Sequence, residues 1–395
     1  MIKDYTIKEN KYLKTIEDLI TNKKVINVAV YANSNAHELI HKFIEMDYKN
    51  IEIYRIYTEK DSFTDLVSHY KKEIDVVIII CEESYYILKT IMNTLYENKM
   101  SNVWYIPSTY VYQDLGFSGT FEEFLTYDCC YCGYEEGQIH LKYIEMQLAD
   151  QCNLNCVGCS HYSPLYPANA PFPSYKMYKR DLKRLSQLFA SVMQIRLMGG
   201  EPLLNPKINC FLDITRKIFP FADIRVITNG LLIPKLSDNI LNNIKRNRVI
   251  VDISGYAPTL LIQNDIEATL AQHHIVYNFI GKTNSFCKRL AVSTNMKGLT
   301  YKCTCDYDSY NVRDGKISKC PVLAYINKLN TEFIANFPED NIFDIHDENL
   351  TGLELYKMLN QKASLCNYCV DEEIPWETYG NRNRKLSDWV IGIER

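Results

Sequence analysis

The segment Cys152-Asn153-Leu154-Asn155-Cys156-Val157-Gly158-Cys159 places three cysteines in one short loop, at C-x3-C-x2-C spacing. It follows an apolar, strand-like run over 140–148. Three thiolates on one iron–sulfur cubane leave one of its irons open, and an open iron can bind a ligand. A cubane with four thiolates mainly stores or passes an electron. The loop therefore indicates a reactive cluster, with a zinc loop or three buried thiols as the alternatives.

A second motif, Gly199-Gly200-Glu201-Pro202, follows the apolar run 195–198. Paired glycines let a ligand approach the backbone closely, and an adjacent carboxylate can hold an ammonium group. Together the two motifs resemble those of the radical S-adenosylmethionine (SAM) superfamily. One position departs from that family, because Gly158 stands where an aromatic residue often precedes the third cysteine. This departure leaves cluster binding intact but removes the ring that usually stacks on the SAM adenine.

The resemblance implies a defined chemistry. A [4Fe–4S] cluster on Cys152, Cys156 and Cys159 binds the amino and carboxylate groups of SAM. An electron from the cluster breaks the sulfonium C–S bond, and the 5′-deoxyadenosyl radical then abstracts a substrate hydrogen. The cofactor-binding residues implied for this chain are Gly199, Gly200, Glu201, Pro202, Thr228, Asn229 and Ser254.

The composition is that of a globular protein with a sizeable core. The chain has 395 residues, is 47% hydrophobic and 23% charged, and carries a formal net charge of −4. That length predicts two or three domains. The charge gives no reason to expect a nucleic-acid partner or a membrane surface. Fourteen cysteines without a signal peptide at the N-terminus favour metal chemistry in a reducing, cytoplasmic setting over a disulfide scaffold.

The first predicted domain, residues 1–125, alternates strands and helices, which predicts a small parallel sheet of Rossmann-like or flavodoxin-like kind. The polar loop 32–35 after the first strand could donate to a phosphate. The absence of a G-x-G-x-x-G motif argues against a dinucleotide site. The domain weakly resembles the nucleotide- or sugar-handling N-terminal domains of surface-glycan enzymes. A docking domain without a ligand is the alternative.

The second predicted domain, residues 138–297, repeats the strand–helix pattern. Strands are expected at 140–148, 194–198, 223–228, 248–254 and 275–280, with helices between them. This pattern fits the partial (β/α)6 TIM-type barrel that the resemblance implies. Chemistry in such barrels takes place at the carboxyl ends of the strands, and both motifs follow strands.

Polar residues inside these strands are candidates for catalysis. Glu145, Gln147 and Asn278 interrupt strands that should be almost wholly apolar if buried on both faces. We expect them to hold the substrate, with hydrogen bonds to the barrel backbone as the alternative. His161 follows the cluster loop and is a candidate for proton transfer or a structural histidine.

The third predicted domain, residues 298–395, carries a second cysteine set. Its members are Cys305, Cys320, Cys366 and Cys369, with Cys303 as a substitute for Cys305. The C-x9-G-x4-C run resembles the start of a SPASM domain, and more closely the shortened twitch domain. One auxiliary [4Fe–4S] cluster is expected, with a zinc ribbon as the alternative.

Two further stretches complete the chain. Cys129, Cys130 and Cys132 lie in a connector and are interpreted as incidental or redox-active thiols, with metal ligation as the alternative. The tail Pro375 to Arg395 is expected to be a polar extension that caps the barrel mouth, anchored by Trp389.

These observations predict a radical SAM enzyme that oxidises or epimerises a sugar, a nucleotide sugar or a polyol. A reductant such as flavodoxin or ferredoxin would supply the electron. An enzyme that modifies ribosomal peptides is the first alternative, although the N-terminal segment lacks the pattern of a winged-helix leader-binding domain. A non-catalytic, metal-bound scaffold is the second.

Overall fold

The structure is a computed structural model. It describes residues 18, 21–32, 37–58, 60–70, 72–80, 91, 94–106, 117, 119–220, 222–294 and 309–393. The chain divides into two compact units. Unit 1 comprises Met1–Lys142, Phe189–Met193 and Phe219–Asp223, and unit 2 comprises Tyr143–Leu188, Gln194–Ile218 and Ile224–Arg395.

Unit 1 contains a five-stranded sheet with the order β2-β1-β3-β4-β5. Its elements are β1 (Ile26–Ala32), α1 (His37–Glu45), β2 (Ile51–Thr58), α2 (Phe63–His69), β3 (Val76–Ile80), β4 (Val103–Ile106), α3 (Phe121–Tyr127) and β5 (Cys130–Tyr131). The pairs β1–β2, β1–β3 and β3–β4 are parallel, and β5 is antiparallel to β4. The strand order 2-1-3-4 is that of a flavodoxin-like sheet. The polar loop 33–35 lies outside the described residues.

Burial on both faces explains the composition of this sheet. Every residue of β3, Val-Val-Ile-Ile-Ile, is buried. Alternate residues of the strands pack into two separate cores, one on each face of the sheet. On one face, Val30 and Ile78 pack with Phe43 and Phe124. Ile79 packs with Leu66 on the other. A strand covered on both faces needs a continuous apolar run, as the sequence of β3 provides.

The second sheet has eight strands in the order β10-β9-β8-β7-β6-β12-β13-β14. Its first half contains β6 (His140–Ala149), α4 (Tyr175–Leu188), β7 (Ser191–Gly199), α5 (Ile208–Ile218), β8 (Asp223–Thr228), α6 (Asp238–Arg246), β9 (Ile250–Gly255), α7 (Ala257–Leu261), α8 (Gln263–Gln272) and β10 (Tyr277–Lys282). Five strands that are consecutive along the chain are also neighbours in the sheet. The predicted α/β class and its succession of strand–helix units are confirmed.

The strand that follows β10 belongs to a different sheet. β11 (Ser285–Ala291) pairs antiparallel with β15 (Cys369–Pro375) and parallel with β16 (Val390–Ile391). The place beside β6 is taken by β12 (Tyr310–Arg313), which pairs with it in parallel. A C-terminal strand therefore extends the sheet of strand–helix units.

The remaining C-terminal elements are β13 (Lys316–Ser318), α9 (Pro321–Phe333), β14 (Phe343–Asp344) and α10 (Gly352–Leu359). β12 and β13 form a hairpin, and Gly315 at its turn has a φ of 76°. A third core joins α9 to the tail, because Ile326 and Leu329 pack with Trp389. In the described part of the chain, no helix is both long and apolar enough to cross a membrane.

Candidate active site

The three cysteines of the loop 152–159 follow directly after β6. Cys156 is buried, Cys152 and Cys159 are partly buried, and all three are free thiols. The loop turns at Asn155 and Gly158, whose φ values of 59° and 72° lie in the left-handed region. Asparagine and glycine adopt that conformation at the lowest cost. The loop sequence thus fits the backbone path that brings the cysteines together.

Burial raises the pKa of all three thiols. The pKa of Cys152 rises to about 12, through burial first and the charge of Glu201 second. For Cys156 the second cause is the charge of Cys159. Because a metal needs thiolate ligands, binding at this loop must release protons.

Hydrogen-bond donors already point at these sulfurs. The N–H of Leu154 lies 3.5 Å from Cys152 Sγ, and the indole N–H of Trp376 lies 3.3 Å from Cys156 Sγ. The backbone N–H of Ser163 also donates to Cys159. Such donors stabilise cluster thiolates, so the loop fits a [4Fe–4S] cluster. Among the described residues no three His, Cys, Asp or Glu side chains stand close enough to hold a single metal ion.

The two glycines after β7 are required by close backbone contacts. A Cβ added at Gly199 would lie 2.2 Å from the carbonyl oxygen of Ala149. One added at Gly200 would lie 2.2 Å from that of Gln151. Gly199 also has a φ of 131°. The paired glycines therefore allow the chain after β7 to lie against the chain after β6.

Glu201 is fully buried and is held by three donors. Its carboxylate accepts hydrogen bonds from Thr228 Oγ1 at 2.7 Å, from the N–H of Asn229 at 2.9 Å and from the N–H of Leu203 at 3.0 Å. Burial nevertheless raises its pKa to about 7, because these donors offset only part of the desolvation. Pro202, the next residue, begins the short 3-10 helix Pro202–Leu204. A carboxylate held in this way can receive a ligand ammonium.

The structure brings several of the predicted cofactor-binding residues to the cysteine loop. Asn229 Nδ2 lies 3.7 Å from Cys152 Sγ and 2.7 Å from Asn153 Oδ1. Ser254 hydrogen-bonds to Tyr256, whose pKa is raised by burial and then by the charge of Cys156. The ends of β6, β7, β8 and β9 therefore all supply residues to one region.

Three of the predicted catalytic residues keep a buried polar atom without a hydrogen-bond partner in the described structure. These atoms are Glu145 Oε2, Gln147 Oε1 and His161 Nε2. Glu145 accepts a hydrogen bond from Tyr143, and burial raises its pKa. Burial, with Arg313 as a second cause, lowers the pKa of His161 to about 4. His161 is therefore neutral at pH 7.

Asn278 has a different environment. Its amide donates to Asp252 at 3.1 Å, and Asp252 forms a buried ion pair with Arg225, also at 3.1 Å. Asn278 thus completes the hydrogen bonding of a buried charge. This contact favours the structural alternative for that residue.

The comparison with family models identifies this region. Residues 146–304 match the model of the radical SAM superfamily. This segment is a radical SAM domain. It uses SAM and a [4Fe–4S] cluster, which the cysteine loop and the Glu201 region fit.

Curated relatives cover limited parts of the chain. The GTP 3′,8-cyclase of Clostridium acetobutylicum is 29% identical over 116 residues, which are 29% of this chain and 35% of the relative. That of Thermodesulfovibrio yellowstonii is 30% identical over 115 residues, 29% of this chain and 35% of the relative. The chain therefore spans about a third of the length of these relatives. That of Campylobacter jejuni subsp. jejuni is 22% identical over 259 residues, 64% of this chain and 72% of the relative.

Solved structures show a low similarity. BtrN in complex with AdoMet and 2-DOIA has a TM-score of 0.33 at 19% identity, covering 58% of this chain and 92% of that chain. Streptococcus suis SuiB bound to the precursor peptide SuiA has a TM-score of 0.30 at 11% identity, covering 59% and 70%. Neither score supports an argument about this chain.

Three of the four predicted auxiliary ligands lie outside the radical SAM domain and share one cavity. Cys320 precedes α9, Cys366 lies in the short helix Ser364–Tyr368 and Cys369 begins β15. All three line the same, mostly apolar cavity. Cys305 and Cys303 lie outside the described residues. The auxiliary cluster and all four of its ligands therefore stay a prediction.

The connector cysteines are buried in unit 1. Burial raises the pKa of Cys129, and it raises that of Cys130 to about 11. The thiols of Cys130 and Cys132 each donate to a backbone carbonyl at 3.7 Å. Protonated, enclosed thiols react slowly, which favours the interpretation of incidental cysteines over reactive ones.

The C-terminal tail contacts the cysteine loop of the radical SAM domain directly. The N–H of Val157 donates to Glu377 at 2.9 Å, and the N–H of Tyr379 donates to Asn155 at 3.1 Å. Trp389 donates to the carbonyl of Cys159 at 2.9 Å. The sequence indicated Trp389 as an anchor but gave no role to Trp376. No local pattern around Trp376 distinguishes it from a surface aromatic residue.

Proposed function

We propose that this protein oxidises or epimerises a hydroxylated carbon of a sugar, a nucleotide sugar or a related polyol. The observation that carries this proposal is the set of buried, unpartnered polar atoms on Glu145, Gln147 and His161. Buried polar atoms are normally hydrogen-bonded, so an unpartnered group of them suits a ligand rich in hydroxyls. SAM and the cluster, when bound, supply the 5′-deoxyadenosyl radical that removes a hydrogen atom from such a carbon.

The residues of the chain have separate parts in this reaction. Cys152, Cys156 and Cys159 would hold the cluster, and Glu201 would receive the ammonium of SAM. Glu145 would accept a hydrogen bond from a substrate hydroxyl through its unpartnered Oε2. Gln147 would accept a hydrogen bond through its free oxygen. These groups orient the substrate carbon and exclude water.

A second [4Fe–4S] cluster on Cys305, Cys320, Cys366 and Cys369 would accept or relay the electron that leaves an oxidised substrate. The shared cavity of Cys320, Cys366 and Cys369 supports this assignment. A flavodoxin or ferredoxin is the proposed reductant, in a cytoplasm reducing enough to keep fourteen cysteines as thiols.

The test is 5′-deoxyadenosine formation by anaerobically reconstituted, reduced protein. Four tubes contain no substrate, pooled nucleotide sugars and polyols, pooled peptides, or GTP, the nucleotide in the relatives' name. Stimulation by the sugar pool supports the proposal. Stimulation by peptides or GTP alone contradicts it. Cys152→Ala serves as the control that removes SAM cleavage in every tube.

A further inference from the structure

A cavity of about 420 Å³ lies between the hairpin β12–β13 and α9. Its lining includes the aromatic residues Tyr166 and Tyr325 and the cations Arg313, Lys316 and Lys328. The buried residues Asn311 and Ser318 also line it. The cavity is large enough for one monosaccharide or cyclitol.

Asn311 and Ser318 are buried without hydrogen-bond partners among the described residues. Asn311 is 3% exposed and Ser318 is 1% exposed. Neither the oxygen nor the nitrogen of the Asn311 amide has a partner, and the Ser318 hydroxyl has none. Residues paired in register on adjacent strands point to the same face. Asn311 is paired with Ser318 on one side and with Glu145 on the other, so three incompletely bonded side chains form a row across three strands.

Two of the three cations that line this cavity form ion pairs. Arg313 forms ion pairs with Asp150 at 2.9 Å and with Asp314 at 3.3 Å. Lys328 forms one with Glu332 at 2.9 Å. Asp314 and a further carboxylate, Glu339, line the cavity. A strongly anionic group would find little uncompensated positive charge here. Amide and hydroxyl groups that both donate and accept suit uncharged hydroxyls instead.

We propose that this cavity binds the sugar or cyclitol part of the substrate, with Asn311 and Ser318 bonded to adjacent hydroxyls. The proposal rests on the proposed function and names the residues that give it selectivity. Neither residue lies in the cysteine loop or the Glu201 motif.

The test is isothermal titration calorimetry of the reconstituted full chain with five probes: glucose, myo-inositol, UDP-glucose, inorganic phosphate and pyrophosphate. We expect saturable binding of at least one of the first three, weakened about tenfold or more by Asn311→Leu. Ser318→Ala, a smaller change, should weaken it less, and Asn242→Leu on the exposed face of α6 is the matched control. Circular dichroism checks that each variant is folded.

Three outcomes would overturn the cavity proposal: binding of phosphate and pyrophosphate alone, no saturable binding by any probe, or equal binding by wild type and both cavity variants. The two proposals fail separately. Sugar binding without deoxyadenosine would contradict the function and keep the cavity. If the sugars stimulate deoxyadenosine formation equally in the wild type and both cavity variants, the function is supported and the cavity proposal is contradicted.

A different observation concerns the position of Gly158. A Cβ added there would lie 2.9 Å from Ile374 Cδ1 in β15. The space that an aromatic side chain often fills in this family is therefore filled from the tail. Two residues after Ile374, Trp376 donates to Cys156 Sγ, and its ring lies 5.3 Å from that of Tyr256 at an interplanar angle of 30°.

We infer that Trp376 is a positioning residue for the cluster, acting through the sulfur of Cys156. Two backbone bonds, from Val157 to Glu377 and from Tyr379 to Asn155, hold the tail segment after Trp376 against the cysteine loop. A hydrogen bond to a cluster thiolate withdraws charge from the sulfur and raises the reduction potential.

The test is a redox titration of the reconstituted protein followed by electron paramagnetic resonance. Trp376→Phe keeps a ring but loses the N–H, so we expect a more negative potential at full iron content. Trp389→Phe is the matched control, because its N–H bonds to a backbone carbonyl instead of a sulfur. An unchanged potential in Trp376→Phe, or an equal shift in both variants, would overturn the inference.

Discussion

Glu201 shows how one side chain can be prepared for a cation. It is fully buried, and three donors fix both of its oxygens, yet the described structure places no Lys, Arg or His side chain in an ion pair with it. A ligand ammonium would supply the missing countercharge and favour the ionised form, which burial disfavours. Fixing the carboxylate before binding lowers the entropy cost of recognition.

The change Glu201→Gln should weaken SAM binding about tenfold or more. Glutamine has no charge to offer an ammonium, and its NH2 group would face one of the donors now bonded to the carboxylate. Equilibrium dialysis of SAM with reconstituted protein measures the effect. Glu267→Gln on α8 is the matched control, and an affinity equal to that control would show that Glu201 does not hold SAM.

His140 is a second informative residue, in unit 1. Burial lowers its pKa to about 4, and its ring bonds to Ser191 Oγ at 2.7 Å and to the carbonyl of Gly133 at 3.0 Å. The unfolded chain binds a proton near pH 6.5, whereas the folded chain binds it only near pH 4. Stability therefore falls as the pH drops through this window.

Protonation of His140 in the unfolded chain should lower the free energy of unfolding by about 3 kcal/mol between pH 7 and pH 4. Urea titrations at several pH values measure it. In His140→Gln the loss of unfolding free energy across this window should be smaller by that amount. The stability of this variant at pH 7 should also be lower than that of the wild type. Identical slopes in both proteins would contradict the assignment.

At the scale of elements, the approach of β15 to the cysteine loop depends on Gly158. Its φ of 72° disfavours other residues, and Ile374 lies where a side chain would begin. Gly281 has a φ of 50°, with nothing within 4 Å of an added Cβ. Substitutions at these two glycines therefore distinguish the cost of backbone strain from the cost of a steric contact.

The change Gly158→Ala should destabilise the protein more than Gly281→Ala. Both variants should lose about 1–2 kcal/mol from the left-handed backbone, and only Gly158→Ala adds the contact with Ile374. Thermal unfolding of both variants measures the difference. Ile374→Val in the Gly158→Ala background should recover part of it, and equal losses in the two glycine variants would exclude a tight approach of β15.

At the scale of the whole molecule, two cysteine sets are expected to divide one reaction. Cys152→Ala should abolish deoxyadenosine formation, and Cys366→Ala should leave SAM cleavage intact while blocking release of oxidised product. Each variant should also lose roughly half of the iron of the wild type. Normal turnover by Cys366→Ala would refute the electron-relay role.

Local signals predicted much of this fold. The strand–helix alternation and the two SAM motifs each carry their information within a few residues, and the structure places both motifs directly after strands, as expected. The cysteine loop and Glu201 were predictable because their residue types are required by the chemistry.

Long-range pairings were not predictable. β5 joins the first sheet antiparallel, β12 pairs with β6, and Trp376 reaches Cys156 from 220 residues away. Such contacts depend on how distant segments pack, and a single sequence has no periodicity that records them. Asn278 remains a predicted substrate residue, and its bond to Asp252 on the neighbouring strand is another pairing that the sequence does not record.

The contact of the tail with the cysteine loop has a consequence for biosynthesis. A ribosome that has just made Cys156 must add 220 more residues before Trp376 exists. At roughly 5–20 residues per second this takes about 10–45 s. During that interval the nascent loop lacks the indole donor and the neighbouring tail strand, and its thiols are open to oxidants. Cluster insertion is therefore best timed after translation has passed the tail.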